Sequence, residues 1–152
     1  MVHILQEFGV PFGVRFGYHF FGPFSDQLRD LLVTCAYDKL IKEEKVDGAY
    51  PTSEFKPEPR MSTFLDAMKL DRNPPWIAFA KELNSKSARE LEALSTLIYV
   101  ENMKAAGELN EEVDEAFREL KPSLVELLPA SHELLGTYRG QFADLAAVAQ
   151  AW

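Results

Sequence analysis

The chain has 152 residues, of which 47% are apolar and 26% charged, with 24 acids against 16 bases and a formal charge of −8. That length fits one domain able to bury roughly 70% of the surface its unfolded form exposes, and the composition excludes a disordered polar chain. The negative charge disfavours a general binder of phosphate backbones. Cys35 is the single cysteine and cannot form an internal disulfide. The start MVHILQEFG lacks a basic segment followed by a long apolar stretch, so neither signal peptide nor membrane span is expected and the expected location is cytoplasmic.

Residues 2–8 read as the end of a helix, with Val2, Ile4, Leu5 and Phe8 on one face, too short to stand alone and completed by a preceding segment or a partner. Seven of the eighteen aromatic residues then fall between Phe8 and Phe24. Within this run FGVP, FGVR and FGYH almost repeat. Glycine at that frequency disfavours helix, while Val14, Phe16, Tyr18 and Phe20 alternate as in a short strand, so loop plus strand is expected. The glycines lack both the P-loop ending and the Rossmann spacing, and tight aromatic packing explains them better than phosphate binding.

Ser25 is a good N-cap, and Leu28, Leu31, Leu32, Cys35, Ala36 and Leu40 continue at helical steps, predicting a helix to about Lys42 with one buried stripe. On that stripe Cys35 reads as a core thiol. Asp47-Gly48 is a hairpin signal between short segments. Helix, short strand and hairpin together outline a winged helix. Pro51 to Pro59 reads as a connector and Met61 to Leu70 as a short helix; Asn73 with Pro74 and Pro75 starts another through Trp76, Phe79 and Leu83. Ser87 and Glu90 have capping-box spacing ahead of a helix ended by Gly107, and Asn110 caps a further helix stopped by Pro122. A last helical region, broken near Pro129 and Gly136, carries the tail, where Phe142, Leu145, Ala149 and Trp152 form a narrow apolar seam that docks on its own domain or on a second copy. The expectation is a mainly α (α+β) single domain, residues 1–152, with a winged-helix-like part over 1–60 that holds a small sheet and packs against a helical bundle over 61–152.

No catalytic set is visible. His3, His19 and His132 are far apart, no metal-ligand spacing occurs, and Glu43-Glu44 and Glu111-Glu112 read as solvated helix faces. No metal, no cofactor and no enzymatic activity are expected; a small hydrolase or deaminase using His19 or His132 is the remote alternative. From Asp26 to Lys45 there are five acids and four bases, so that helix is not built to seek phosphate, although Lys39, Lys42, Lys45 and Lys56, with Arg60, could gather near the wing for DNA contact.

The segment HILQEFGVPFGVRFGYHFFGPFSDQLRDLL resembles the core of the YwgA-like proteins and, more distantly, the Panacea or SocA-type antitoxin domain. The matching pieces are Leu5-Gln6, the Phe21-Gly22-Pro23-Phe24-Ser25 turn and the stripe from Leu28 to Leu32. The stretch from Ala88 to Met103, then Glu111-Glu112-Val113 and Leu120-Lys121-Pro122, is similar to the C-terminal helices of YwgA-like proteins. The resemblance reaches to about Leu135. Those families usually carry more helix before the point where this chain begins, and Val2-His3-Ile4 stands in its place. The resemblance implies no catalysis: YwgA-like proteins have no established activity, and the Panacea and SocA type hold a toxic partner protein. It implies a protein partner, toxin-like or regulatory; the dense aromatic patch suits engagement around Phe20, Phe21, Phe24 and Arg29, since aromatic anchors dominate interface energetics, and the apolar tail seam leaves a homodimer as a further option.

Overall fold

A computed structural model describes residues 1–20, 22–46 and 52–145. The fold is mainly α with two small antiparallel sheets, as composition and periodicity led us to expect. The chain divides into two compact units, one made of residues 1–24 with those from 75 onward, the other of Ser25–Pro74.

In the first unit, α1 (Val2–Glu7) buries His3, Ile4 and Leu5. Gly9 at φ 94° ends it, a backbone angle that a residue with a Cβ adopts at a cost. Gln6 then holds the aromatic loop by a two-way clasp: its side-chain amide donates to the Val14 carbonyl at 2.8 Å, and the Val14 N–H donates back at 3.1 Å. That clasp explains why a loop dense in glycine keeps one path. The loop feeds β1 (Gly17–His19), paired antiparallel with β2 (Gly22–Phe24) in the register Gly17 with Phe24.

After the second unit come α4 (Ile77–Asn84), α5 (Ala88–Ala105), α6 (Val113–Leu120), a 3-10 turn (Pro122–Leu127) and α7 (Leu128–Gln141). The predicted capping box is present: the Ser87 hydroxyl accepts from the Glu90 N–H at 3.2 Å, and the Glu90 carboxylate accepts from the Ser87 N–H at 2.8 Å. These bonds to Ser87 hold the Glu90 carboxyl below its usual range. Gly107, at φ 75°, closes α5, with Glu108 N–H reaching back to the Met103 carbonyl at 2.9 Å. Six consecutive residues, Ala93 to Ile98, are buried, with Ser95 and Thr96 among them, so the middle of α5 is enclosed on every side. Around it Ile4, Leu5, Val10, Phe79, Leu83, Phe117, Leu128, Leu135 and Tyr138 form one core.

The second unit holds α2 (Asp26–Tyr37), β3 (Ile41–Val46), β4 (Thr52–Pro57) and α3 (Pro59–Ala67). Ser25 caps α2 by accepting from the Leu28 N–H at 3.3 Å. β3 and β4 pair antiparallel, Ile41 with Pro57 through Val46 with Thr52; the Asp47-Gly48 turn signal lies outside the described residues.

Several sequence expectations need correction. The first helix of this unit stops at Tyr37, short of Lys42, because Lys39 takes φ 55° and the chain turns into β3. Its stripe is not buried along the helix: no residue of α2 is buried and Leu31 is 54% exposed, while Leu40, past the helix end, is buried. Accordingly Cys35 is half-buried rather than a core thiol. The segment read as a proline connector is mostly β4, whose Pro57 sits at a strand end where its missing N–H costs nothing. α6 starts at Val113 with Glu112 at the N-cap position and no side-chain cap bond, so Asn110 does not cap it; the Asn110 carbonyl instead accepts from the Lys104 ammonium at 3.2 Å. α7 runs without a break through Pro129, placed in its first turn, and through Gly136. In the tail, Phe142 stacks on Phe79 at 4.3 Å and Leu145 is buried, so this part docks on its own unit; Ala149 and Trp152 lie outside the described residues.

Candidate functional site

The residues proposed for partner binding divide between the units. Phe20 follows β1 directly and is 79% exposed, and Phe24, 38% exposed, ends β2 opposite Gly17. Phe24 packs beside the His19 ring at 5.3 Å. Phe21 lies outside the described residues. Arg29 belongs to α2, where it meets Asp26 at 3.2 Å and Asp30 at 3.4 Å on the exposed side.

Two of the four lysines considered for DNA, Lys42 and Lys56, are engaged by carboxylates. Lys42 and Lys56 face each other across the β3–β4 ladder, and both bind Glu44, at 3.1 and 2.5 Å. The bonds from Lys56 and Lys42 pull the Glu44 carboxyl below its usual range, and the bond to Glu44 raises Lys56 in turn. Lys45 is an exposed residue of the same strand, and Lys39 is exposed at the end of α2. Arg60 donates to the Asp38 carbonyl at 2.9 Å. Lysines neutralised in this way offer phosphate less than their number implies.

Of the histidines, His19 is exposed and His132 shares a 2.8 Å hydrogen bond with Asp114 at the surface. His3, set apart from the other histidines in the sequence, is buried by the fold to 4% exposure. Its Nδ1 shares a 2.8 Å hydrogen bond with the Ser95 hydroxyl from α5, and its Nε2 lies 3.8 Å from Glu7. Burial pushes the imidazole down to about 4, so it is neutral at pH 7. Serine, histidine and glutamate here mimic a nucleophilic set without its surroundings. Ser95 is buried in mid-helix, where the backbone N–H groups bond along α5 and leave no oxyanion donors. The arrangement locks α1 to α5.

A second group joins the hairpin to the helices. Lys121, at the end of α6, is 5% exposed. Its ammonium donates to the Phe20 carbonyl and to Glu92 of α5 at 2.6 Å, and lies 5.8 Å from the Tyr18 ring centroid and 5.9 Å from that of Phe20. The exposed Phe20 is therefore carried on a fixed backbone. A Cβ at Gly22 would stand 3.2 Å from the Thr96 hydroxyl, so this hairpin approaches α5 closely because glycine is there. The hydroxyls of Tyr18 and Thr96 are shut off from solvent without a hydrogen bond of ordinary geometry, and burial raises the Tyr18 phenol above its usual range.

Beside Tyr18 a cavity of about 210 Å³ opens between α5 and α6. Tyr18, Tyr99, Met103, Leu109 and Leu120 line it, with Glu111 and Glu119; Tyr18 and Tyr99 meet at 5.5 Å. In the sequence Tyr18 and Leu120 belong to separate elements, and the cavity joins them through packing that no local pattern records. Among the described residues, no group of three or more His, Cys, Asp or Glu could hold a metal ion, and no helix is long and apolar enough to cross a membrane.

The chain is 30% identical over 107 residues to the uncharacterised protein YwgA of Bacillus subtilis strain 168, a match covering 68% of this chain and 63% of that protein. The match thus spans under two thirds of that relative, and it supports a YwgA-like family. No protein-family profile and no solved structure matches the chain significantly.

Proposed function

We infer that the chain is a YwgA-like, non-enzymatic protein-binding domain of the cytoplasm, antitoxin-like in holding a protein partner through the hairpin surface of its helical unit. The observation that carries this is Phe20: a large aromatic side chain, mostly exposed, on a turn whose carbonyl a buried lysine fixes. A rigid exposed aromatic adds binding energy at little entropic cost, which suits an interface anchor. The distant likeness to Panacea and SocA-type antitoxins supports a toxin-like partner, encoded beside this chain. Co-expressing the chain with each neighbouring gene product and sedimenting the mixture tests the reading: a stable stoichiometric complex is expected, and its absence with every neighbour counts against it.

The winged-helix reading, a dimeric DNA-binding regulator, draws on α2 followed by the β3–β4 hairpin. Glu44 between Lys42 and Lys56 weighs against it. Salt-dependent retention of duplex DNA at low ionic strength by the purified chain would favour it over protein binding.

A further inference from the structure

The cavity between α5 and α6 pairs an apolar interior with an acidic surround. From Glu108 to Leu120 the sequence has six acids and one base, Arg118. Arg118 pairs with Asp114 at 3.7 Å, and Lys104 holds Glu112 at 3.3 Å together with the carbonyls of Asn110 and Glu111. Among the described residues, Glu111 and Glu119, which line the cavity, meet no cationic side chain within 4.0 Å. The Lys121 ammonium near Tyr18 is matched by Glu92 and so does not cancel that field. Inside, two tyrosine rings, a thioether and leucine side chains offer shape and polarisable surface to an apolar or aromatic side chain.

We propose that this cavity is the anchor site for a partner segment that presents an aromatic or aliphatic side chain flanked by lysines and arginines. The apolar side chain fills the space lined by Tyr99, Met103 and Leu109, while the flanking cations meet Glu111 and Glu119. Tyr rings at the wall favour the same sign of charge through their faces. Phe20 shares the Lys121 cation with Tyr18, so the cavity continues the hairpin surface already assigned to a partner. This inference rests on the protein-binding reading and specifies the chemistry of what binds.

The test uses the full chain and a fluorescent, end-blocked peptide Gly-Lys-Arg-Phe-Lys-Leu-Arg-Gly. One control peptide carries Glu in place of every Lys and Arg, and another carries Ser in place of Phe and Leu. Fluorescence anisotropy should show saturable binding of the first, at least tenfold weaker binding of both controls, and a shift of the Met103 methyl resonance on titration. Glu111→Lys with Glu119→Lys should weaken binding at least tenfold, and Leu109→Trp should abolish the Met103 shift, each with an unfolding midpoint close to that of the parent. No binding by the folded parent chain, equal binding of the acidic control, or indifference to both variants overturns the proposal. A neighbour-encoded partner that binds the charge-reversed chain with unchanged affinity sinks this site alone and leaves the protein-binding reading standing.

Discussion

Lys121 and Glu92, 29 residues apart, meet at 2.6 Å with only 6% of the lysine side chain exposed. The same ammonium takes the Phe20 carbonyl, so one buried cation ties hairpin, α5 and α6 together. Removing one member of a buried pair strands the other, which costs about 3–5 kcal/mol. Lys121→Met should therefore lower the urea midpoint sharply, and adding Glu92→Leu should restore part of the loss. Equal midpoints for the parent and Lys121→Met would show that the pair is dispensable.

The buried His3 makes stability depend on pH. Its imidazole titrates at about 4 in the fold against about 6.5 in the unfolded chain. Between those values the unfolded chain binds the proton and the fold does not, so this contribution is complete above about pH 6.5 and fades as pH falls toward 4. A shift of this size corresponds to about 3 kcal/mol in full. Urea unfolding of the parent and of His3→Gln between pH 7.5 and 5 should show the steeper decline in the parent, and parallel curves would contradict the assignment.

The capping box fixes where α5 begins. Ser87→Ala removes the acceptor for the Glu90 N–H and should cost about 1 kcal/mol, seen as a lower unfolding midpoint. No change would mean that α5 is positioned by its packing alone.

Gly22→Ala tests the close approach of the hairpin. At φ 92° with a Cβ set 3.2 Å from the Thr96 hydroxyl, alanine meets both backbone strain and a crowded neighbour. A loss of about 1–2 kcal/mol is expected; a neutral result would show that the hairpin can withdraw from α5 freely.

What the sequence disclosed and what it hid divide along physical lines. Ser87 with Glu90, Gly107 and Ser25 were readable because caps and glycines act on their own neighbours, whereas the Gly22-Pro23 turn expected before α2 is strand β2. Periodicity also located α5 and α6. It failed on α2, where Leu28, Leu31 and Leu32 have the spacing of a buried stripe yet none is buried, because spacing states that a face is apolar and not what covers it. Pro57 misled for a related reason: prolines suggest a connector, but a strand end tolerates them. Phe20 was picked out as an anchor and is exposed as such a role needs. The burial and partners of His3 and Lys121, and the cavity, were not legible, since each depends on residues 29 to 102 positions apart. Lys121 in particular, between Leu120 and Pro122, gives no local sign that its charge lies inside.

The most direct measurement is the affinity of the neighbour-encoded partner for the parent chain and for Phe20→Ser, by calorimetry on folded proteins of matched unfolding midpoint. The account predicts a one-to-one complex weakened at least tenfold by that substitution, since truncating a central aromatic anchor costs about 2 kcal/mol or more. An affinity that Phe20→Ser leaves unchanged would contradict it.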